Sequence, residues 1–205
     1  MKKILTLILI SFIVLGAGCQ NSPSAISGPT KTYKVVDGSL SFTTPSAPWE
    51  EKVQSLGEVQ GELGNPIPAE TVLGVTFRRP DKDGMISVGV LGQEKDKDGK
   101  VIDLENDQEM LNHIAMSVEK REGKRLKEEW TQVLGVNAFH MVFEVGEDER
   151  KQKGEQVHFT KDGKHYTLAI LVPAQDYDAE IGHFRNLVSS FKLEPSASAE
   201  PEKEG

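Results

Sequence analysis

Cysteine is nearly absent: Cys19 is the single thiol in 205 residues. No disulfide can form within the chain, so its fold must rest on core packing and hydrogen bonds. An excess of basic residues is missing too. Lys and Arg number 24 against 32 Asp and Glu, for a formal net charge of −8. Nucleic acid and anionic lipid are bound by surplus Lys and Arg, so no nucleic-acid partner is expected. Long apolar runs are also lacking. Ile4–Leu15 is well short of the ~18 residues a helix needs to cross a bilayer. Catalytic signatures are absent as well. There is no Gly-x-Ser-x-Gly, no His-Glu-x-x-His and no P-loop. The Gly-Lys pairs at Gly99, Gly123 and Gly163 are followed by Val, Arg and His where a P-loop needs Ser or Thr. These absences point away from an enzyme.

The N-terminus carries the strongest positive signal. Lys2 and Lys3 precede Ile4–Leu15, and Gly16-Ala17-Gly18-Cys19 follows, which is a secretion signal ending at a processing point. This resembles the bacterial lipoprotein signal, in which a diacylglyceryl group is joined to the cysteine and a peptidase cuts before it. The family places Leu three residues before the cysteine. Here that position is Gly16, and Leu15 lies one further back. An ordinary signal peptide cut near Ala17 is the alternative. It would leave a free thiol in an oxidising compartment. Lipidation at Cys19 is therefore the expectation, implying acyl chains that hold the protein to a membrane of the bacterial cell envelope, on its non-cytoplasmic side.

Composition divides the rest. Residues 1–18 are the signal peptide, and 19–30, rich in Ser and Pro, form a flexible tether. Residues 31–193 are one domain, long enough to bury roughly 70% of its unfolded surface. Residues 194–205 are an acidic, disordered tail.

Within the domain, two Asp-Gly pairs mark hairpins. A two-residue turn at Asp37-Gly38 pairs Val35 with Leu40 and Tyr33 with Phe42. One at Asp162-Gly163 pairs Phe159 with Tyr166 and Val157 with Leu168. In each, all four apolar side chains share a face. Further strands are expected at Val72–Arg79, Met85–Leu91, Leu126–Leu134 and Asn137–Val145, the last turning from its neighbour near Gly135. Leu111, Ile114, Ala115 and Val118 fall at helical spacing, with Asn106 and Glu109 as a capping box and Gly123 as the stop. A second helix carries Tyr177, Ile181, Phe184, Val188 and Phe191 on one stripe, with Asp176 as N-cap. The fold class is α+β: an antiparallel sheet of about six to eight strands with two main helices packed on it.

Tyr33, then Leu40-Ser41-Phe42 running into Pro45 and Pro48-Trp49, resembles the opening of PsbP-type domains. Leu187-Val188-Ser189-Ser190-Phe191 resembles their closing helix. The resemblance implies an α/β/α domain. That family includes an extrinsic subunit of photosystem II, a Ran-binding nuclear factor and many bacterial lipoproteins, and it shares no catalytic residues. It implies an accessory or binding role towards another envelope protein.

Three local features could carry more. Glu94 to Glu105 matches the EF-hand loop, with carboxylates at Glu94, Asp96 and Asp98, Gly99 for the bend, the Lys100 carbonyl and a bidentate Glu105. This makes calcium the candidate cofactor and a calcium-dependent binding module an alternative function. Glu94 is a methylene longer than the usual Asp, and a strand rather than a helix precedes it. His158 and His165 are expected on the solvent face of their hairpin. Trp130 shares a strand face with Glu128 and Gln132 and is a candidate contact anchor, or packs under residues 50–70. That segment is long for a structureless loop and either hides an element or acts as a lid, which leaves a small-ligand carrier or a motif-less enzyme as a further alternative.

Overall fold

The computed structural model describes residues 27–35, 38–55, 72–92 and 103–195. In chain order these form β1 (Ser27–Val35), β2 (Gly38–Pro45), β3 (Glu50–Ser55), β4 (Val72–Arg79), β5 (Gly84–Gly92), α1 (Gln108–Glu119), β6 (Lys124–Val133), β7 (Val136–Val145), β8 (Gln152–Lys161), β9 (Lys164–Pro173), α2 (Tyr177–Ser190) and β10 (Lys192–Pro195). A three-stranded sheet runs β1-β2-β10. A seven-stranded sheet runs β3-β4-β5-β9-β8-β7-β6. The α+β expectation is met, with the strands divided between two antiparallel sheets.

The Asp162-Gly163 hairpin has the expected register, Phe159 opposite Tyr166 and Val157 opposite Leu168. Asp162 (φ 49°) and Gly163 (φ 74°) are both left-handed, as a tight two-residue turn of this hand requires. The first hairpin differs. Tyr33 faces Leu40 and Val35 faces Gly38, a displacement of two residues from the expected pairing. A slip of two leaves every side chain on its face, so Tyr33, Val35, Leu40 and Phe42 are still buried together. β1 begins at Ser27, inside the stretch read as tether, because Ser27 and Thr30 pair with Pro45 and Thr43. At the other end Glu194 and Pro195 pair with β2 rather than joining the tail. Residues 50–55, part of the supposed lid, are β3, paired to β4 at the sheet's far edge; residues 56–71 lie outside the described residues.

Both helices have the expected stripes; α2 also starts where expected, after Asp176, while α1 starts one residue later than expected. α1 is capped by Asp107, whose Oδ1 accepts from the Met110 N–H at 2.8 Å. Asn106 is instead used in a 3₁₀ turn that buries Leu104. Asp176 makes no cap bond to α2, because its carboxylate meets Lys82 Nζ at 2.9 Å. Gly123 does end α1. A Cβ there would lie 2.7 Å from both Val118 and Val145.

The middle of the seven-stranded sheet is covered on both faces. Val157, Phe159, Tyr166 and Leu168 pack with Phe42, Phe184 and Phe191 beneath α2 and the small sheet. On the opposite face Met141, Phe143 and Val145 pack with Ile114 and Val118 of α1. Antiparallel sheets often keep one wet face. At β7 to β9 both faces are covered, and that corrects the expected placement of His158 and His165. They are 6% and 4% exposed, on the α1 side.

Candidate functional site

α2 packs on β2 and β9, while β6, β7 and β8 continue beyond it. The step between helix and sheet is a half-open groove of about 410 Å³, within the size range of ligand sites. Val133, Val157 and Val188 give it apolar walls. Thr131, His140, Glu155 and Arg185 bring polar groups to it.

At one end lies a charge network spanning three strands and the helix. His140 on β7 stands opposite Glu129 on β6. Its Nδ1 is 3.0 Å from Glu129 Oε1, and its Nε2 is 3.0 Å from Glu155 Oε2 on β8. An ionised carboxylate only accepts hydrogen bonds, so both ring nitrogens must donate and His140 is an imidazolium. The hydrogen bond to Glu155 raises the His140 pKa above its ordinary value against the opposing effect of burial, and Glu129 adds to it. Glu155 Oε1 also accepts from the Tyr177 hydroxyl and from Arg185 Nη2, the latter at 3.0 Å. Burial of Glu155, which is 3% exposed, would push its pKa up. Donation by His140, Tyr177 and Arg185 outweighs that and holds it at about 2. Burial, then the bond to Glu155, raises the Tyr177 phenol. Lys153 Nζ sits 4.1 Å above the Tyr177 ring, closing the cluster. Each titratable group here is engaged with another, an arrangement suited to holding and positioning.

Sequence reasoning missed this network, although one signal for it was available. Extending the Phe159–Tyr166 register along the hairpin puts Glu155 opposite Ile170, on the core face. A carboxylate at an inward strand position must find donors.

A second polar cluster braces the N-terminal half of α2. Glu180 accepts from Arg79 and from Trp49 Nε1 at 3.2 Å, and the Arg79 guanidinium lies 5.8 Å over the Trp49 ring. Glu180 and Trp49 are buried, so the cluster reads as structural.

No family model and no curated protein matches the chain. Solved structures do. It is similar to the solution structure of cyanobacterial PsbP (CyanoP) from Synechocystis sp. PCC 6803, at 18% identity over 88% of this chain and 99% of that one, with a TM-score of 0.49. It is also similar to LpqN of Mycobacterium tuberculosis, described as involved in cell envelope biogenesis, at 9% identity over 73% and 87% of the two chains, with a TM-score of 0.39.

The residues singled out from sequence fall as follows. Cys19, Glu94, Asp96, Asp98 and Lys100 lie outside the described residues. Glu105 is exposed in the 3₁₀ turn before α1, where Oε1 accepts from Asn137 Nδ2. Trp130 is 46% exposed and meets Phe139 edge-on at 5.5 Å. His158 Nδ1 and His165 Nε2 face each other at 3.2 Å, buried, with Gln156 and Thr167 as further partners of His158. Burial takes the His158 pKa down to about 3, with the neighbouring His165 adding to the effect; burial also lowers His165, against the pull of Asp107. Among the described residues no group of three or more His, Cys, Asp or Glu could hold a metal ion, and no helix is long and apolar enough to cross a membrane.

Proposed function

We propose that this chain is a lipoprotein, anchored through acyl chains on Cys19 to a membrane of the bacterial envelope, whose domain docks another envelope protein without chemistry of its own. The observation that carries the docking reading is the construction of β6, the strand at one end of the larger sheet. One face presents the exposed Trp130 beside Phe139; the other, through Thr131 and Val133, lines the groove. Exposed edge strands are ordinarily protected by charge and by bulges. Lys124–Glu129 has both, including an irregularity between Arg125 and Lys127. Trp130–Val133 has neither. Trp is among the residues enriched at the energetic centres of protein interfaces. The mutual engagement of His140, Glu155, Tyr177 and Arg185 supports binding over turnover.

The test is crosslinking of the tagged full-length chain in its native membranes. Trp130→Glu and Thr131→Lys are expected to reduce recovery of the crosslinked partner at least about tenfold, as loss of a ~2 kcal/mol anchor would. Lys52→Glu, at the opposite edge of the sheet, is expected to leave it intact. Equal recovery from all three variants would place docking elsewhere.

A further inference from the structure

We propose that His140 is a pH-operated clamp on the groove: as an imidazolium it ties β6 to β8 through Glu129 and Glu155, and on losing a proton it releases Glu129 and frees the β6 wall. The geometry imposes this. Glu129 and Glu155 each present an acceptor oxygen 3.0 Å from a different ring nitrogen. A neutral imidazole has one N–H, so its other nitrogen would turn a lone pair towards a carboxylate.

Which contact breaks is decided by the surroundings. Glu155 is buried and held from α2 by Tyr177 and Arg185. It cannot turn to water, and stripping it of a donor would be costly. The Glu129 side chain is 40% exposed and has Lys127 Nζ at 2.7 Å, so it can turn outward with a partner already in place. The charged and titratable groups around His140 are thus Glu129 and Lys127 on β6, Glu155 and Lys153 on β8, and Tyr177 and Arg185 on α2. The two carboxylates touch the ring directly, while the cations reach it through them.

Release would be local. β6 has β7 on one side and no described strand on the other, so the clamp supplements a single ladder. Thr131, two residues from Glu129 and on the same strand face, lines the groove, so movement of this strand changes the groove's width. The sign follows from the raised pKa. The clamp's contribution is complete below the ordinary histidine value and is lost as pH rises through the folded one. If the groove docks a partner as proposed above, docking weakens over that same alkaline step.

The experiment uses the full-length chain in detergent micelles and no partner. The His140 ring is titrated by NMR, and amide hydrogen exchange of β6, β8 and β9 is followed over the same pH range, corrected for intrinsic exchange. The expected result is a His140 midpoint above the ordinary histidine value, with β6 protection falling across it while β8 and β9 hold. Glu129→Gln is expected to abolish the β6 step, because an amide can accept from the imidazolium and donate to the neutral ring. A His140 midpoint at or below the ordinary value overturns the clamp, as does a β6 that ignores pH or a Glu129→Gln chain that keeps the step. None of these readouts involves the partner. Docking that is absent at every pH, or that ignores the step while β6 shows it, would overturn only the docking role.

Discussion

Glu155 shows how much of this molecule's pH behaviour resides in single buried side chains. Its folded pKa of about 2 lies below the ordinary 4.5, so the stability it contributes is present above 4.5 and is lost as pH falls from there towards 2. Glu155→Gln is expected to flatten the stability profile across that window. At neutral pH it should cost about 1–3 kcal/mol, since His140 and Tyr177 lose a charged acceptor while the exposed Arg185 can turn to water. Urea unfolding midpoints at a series of pH values read both effects. The His158–His165 pair acts in the same direction at milder acidity. Both are held neutral when folded, so the unfolded chain binds more protons below the ordinary 6.5, and stability falls as pH drops from there towards about 3. An unchanged profile in Glu155→Gln would mean the network is not charged as its geometry requires.

At the scale of elements, the β8–β9 hairpin is the informative case. Its register was legible because the Asp-Gly turn and the apolar alternation agree on one pairing. Phe159, fully buried against Tyr166 and Phe191, should cost ~3–5 kcal/mol when cut to Ala. His158 points to the other face. With α1 covering that face, His158→Ala should cost ~1–3 kcal/mol, because it strips buried His165 of its partner. A negligible His158 penalty would mean that the α1 face is wet. The β1–β2 register was less legible. Alternation has a period of two, so pairings that differ by two residues look alike in the sequence, and the turn decides between them. The helix caps were a matter of competition. Asp107, Asn106 and Asp176 are all good cap residues, and a 3₁₀ turn and Lys82 claimed two of them.

For the whole molecule, the proposed anchor and the proposed docking edge are separable. Cys19→Ser is expected to move the protein from the membrane pellet to the soluble fraction and to abolish labelling with a clickable fatty acid. One acyl chain binds at only ~10⁴ M⁻¹, so stable attachment needs the multiple chains of a lipoprotein. A Cys19→Ser chain that stays on membranes washed in high salt would point to another anchor. The acidic balance of the chain, net −8, speaks against adsorption to anionic lipid as that anchor.

The sequence by itself determined much of the local structure: most of the strands, the two amphipathic helices, the turn at Asp162-Gly163 and the α+β class, while β3 and β10 were fixed by their pairing with β4 and β2. What was legible follows from period and turn chemistry acting over a few positions. Tertiary structure alone decided which surfaces are wet. A pattern of alternation says that two faces differ, not that a helix covers the second, so His158 and His165 read as exposed until α1 is placed over them. Nor can spacing bring Glu129, His140, Glu155, Tyr177 and Arg185 together. They sit on four elements, and only the order β6-β7-β8 with α2 laid across brings their charges within hydrogen-bonding distance.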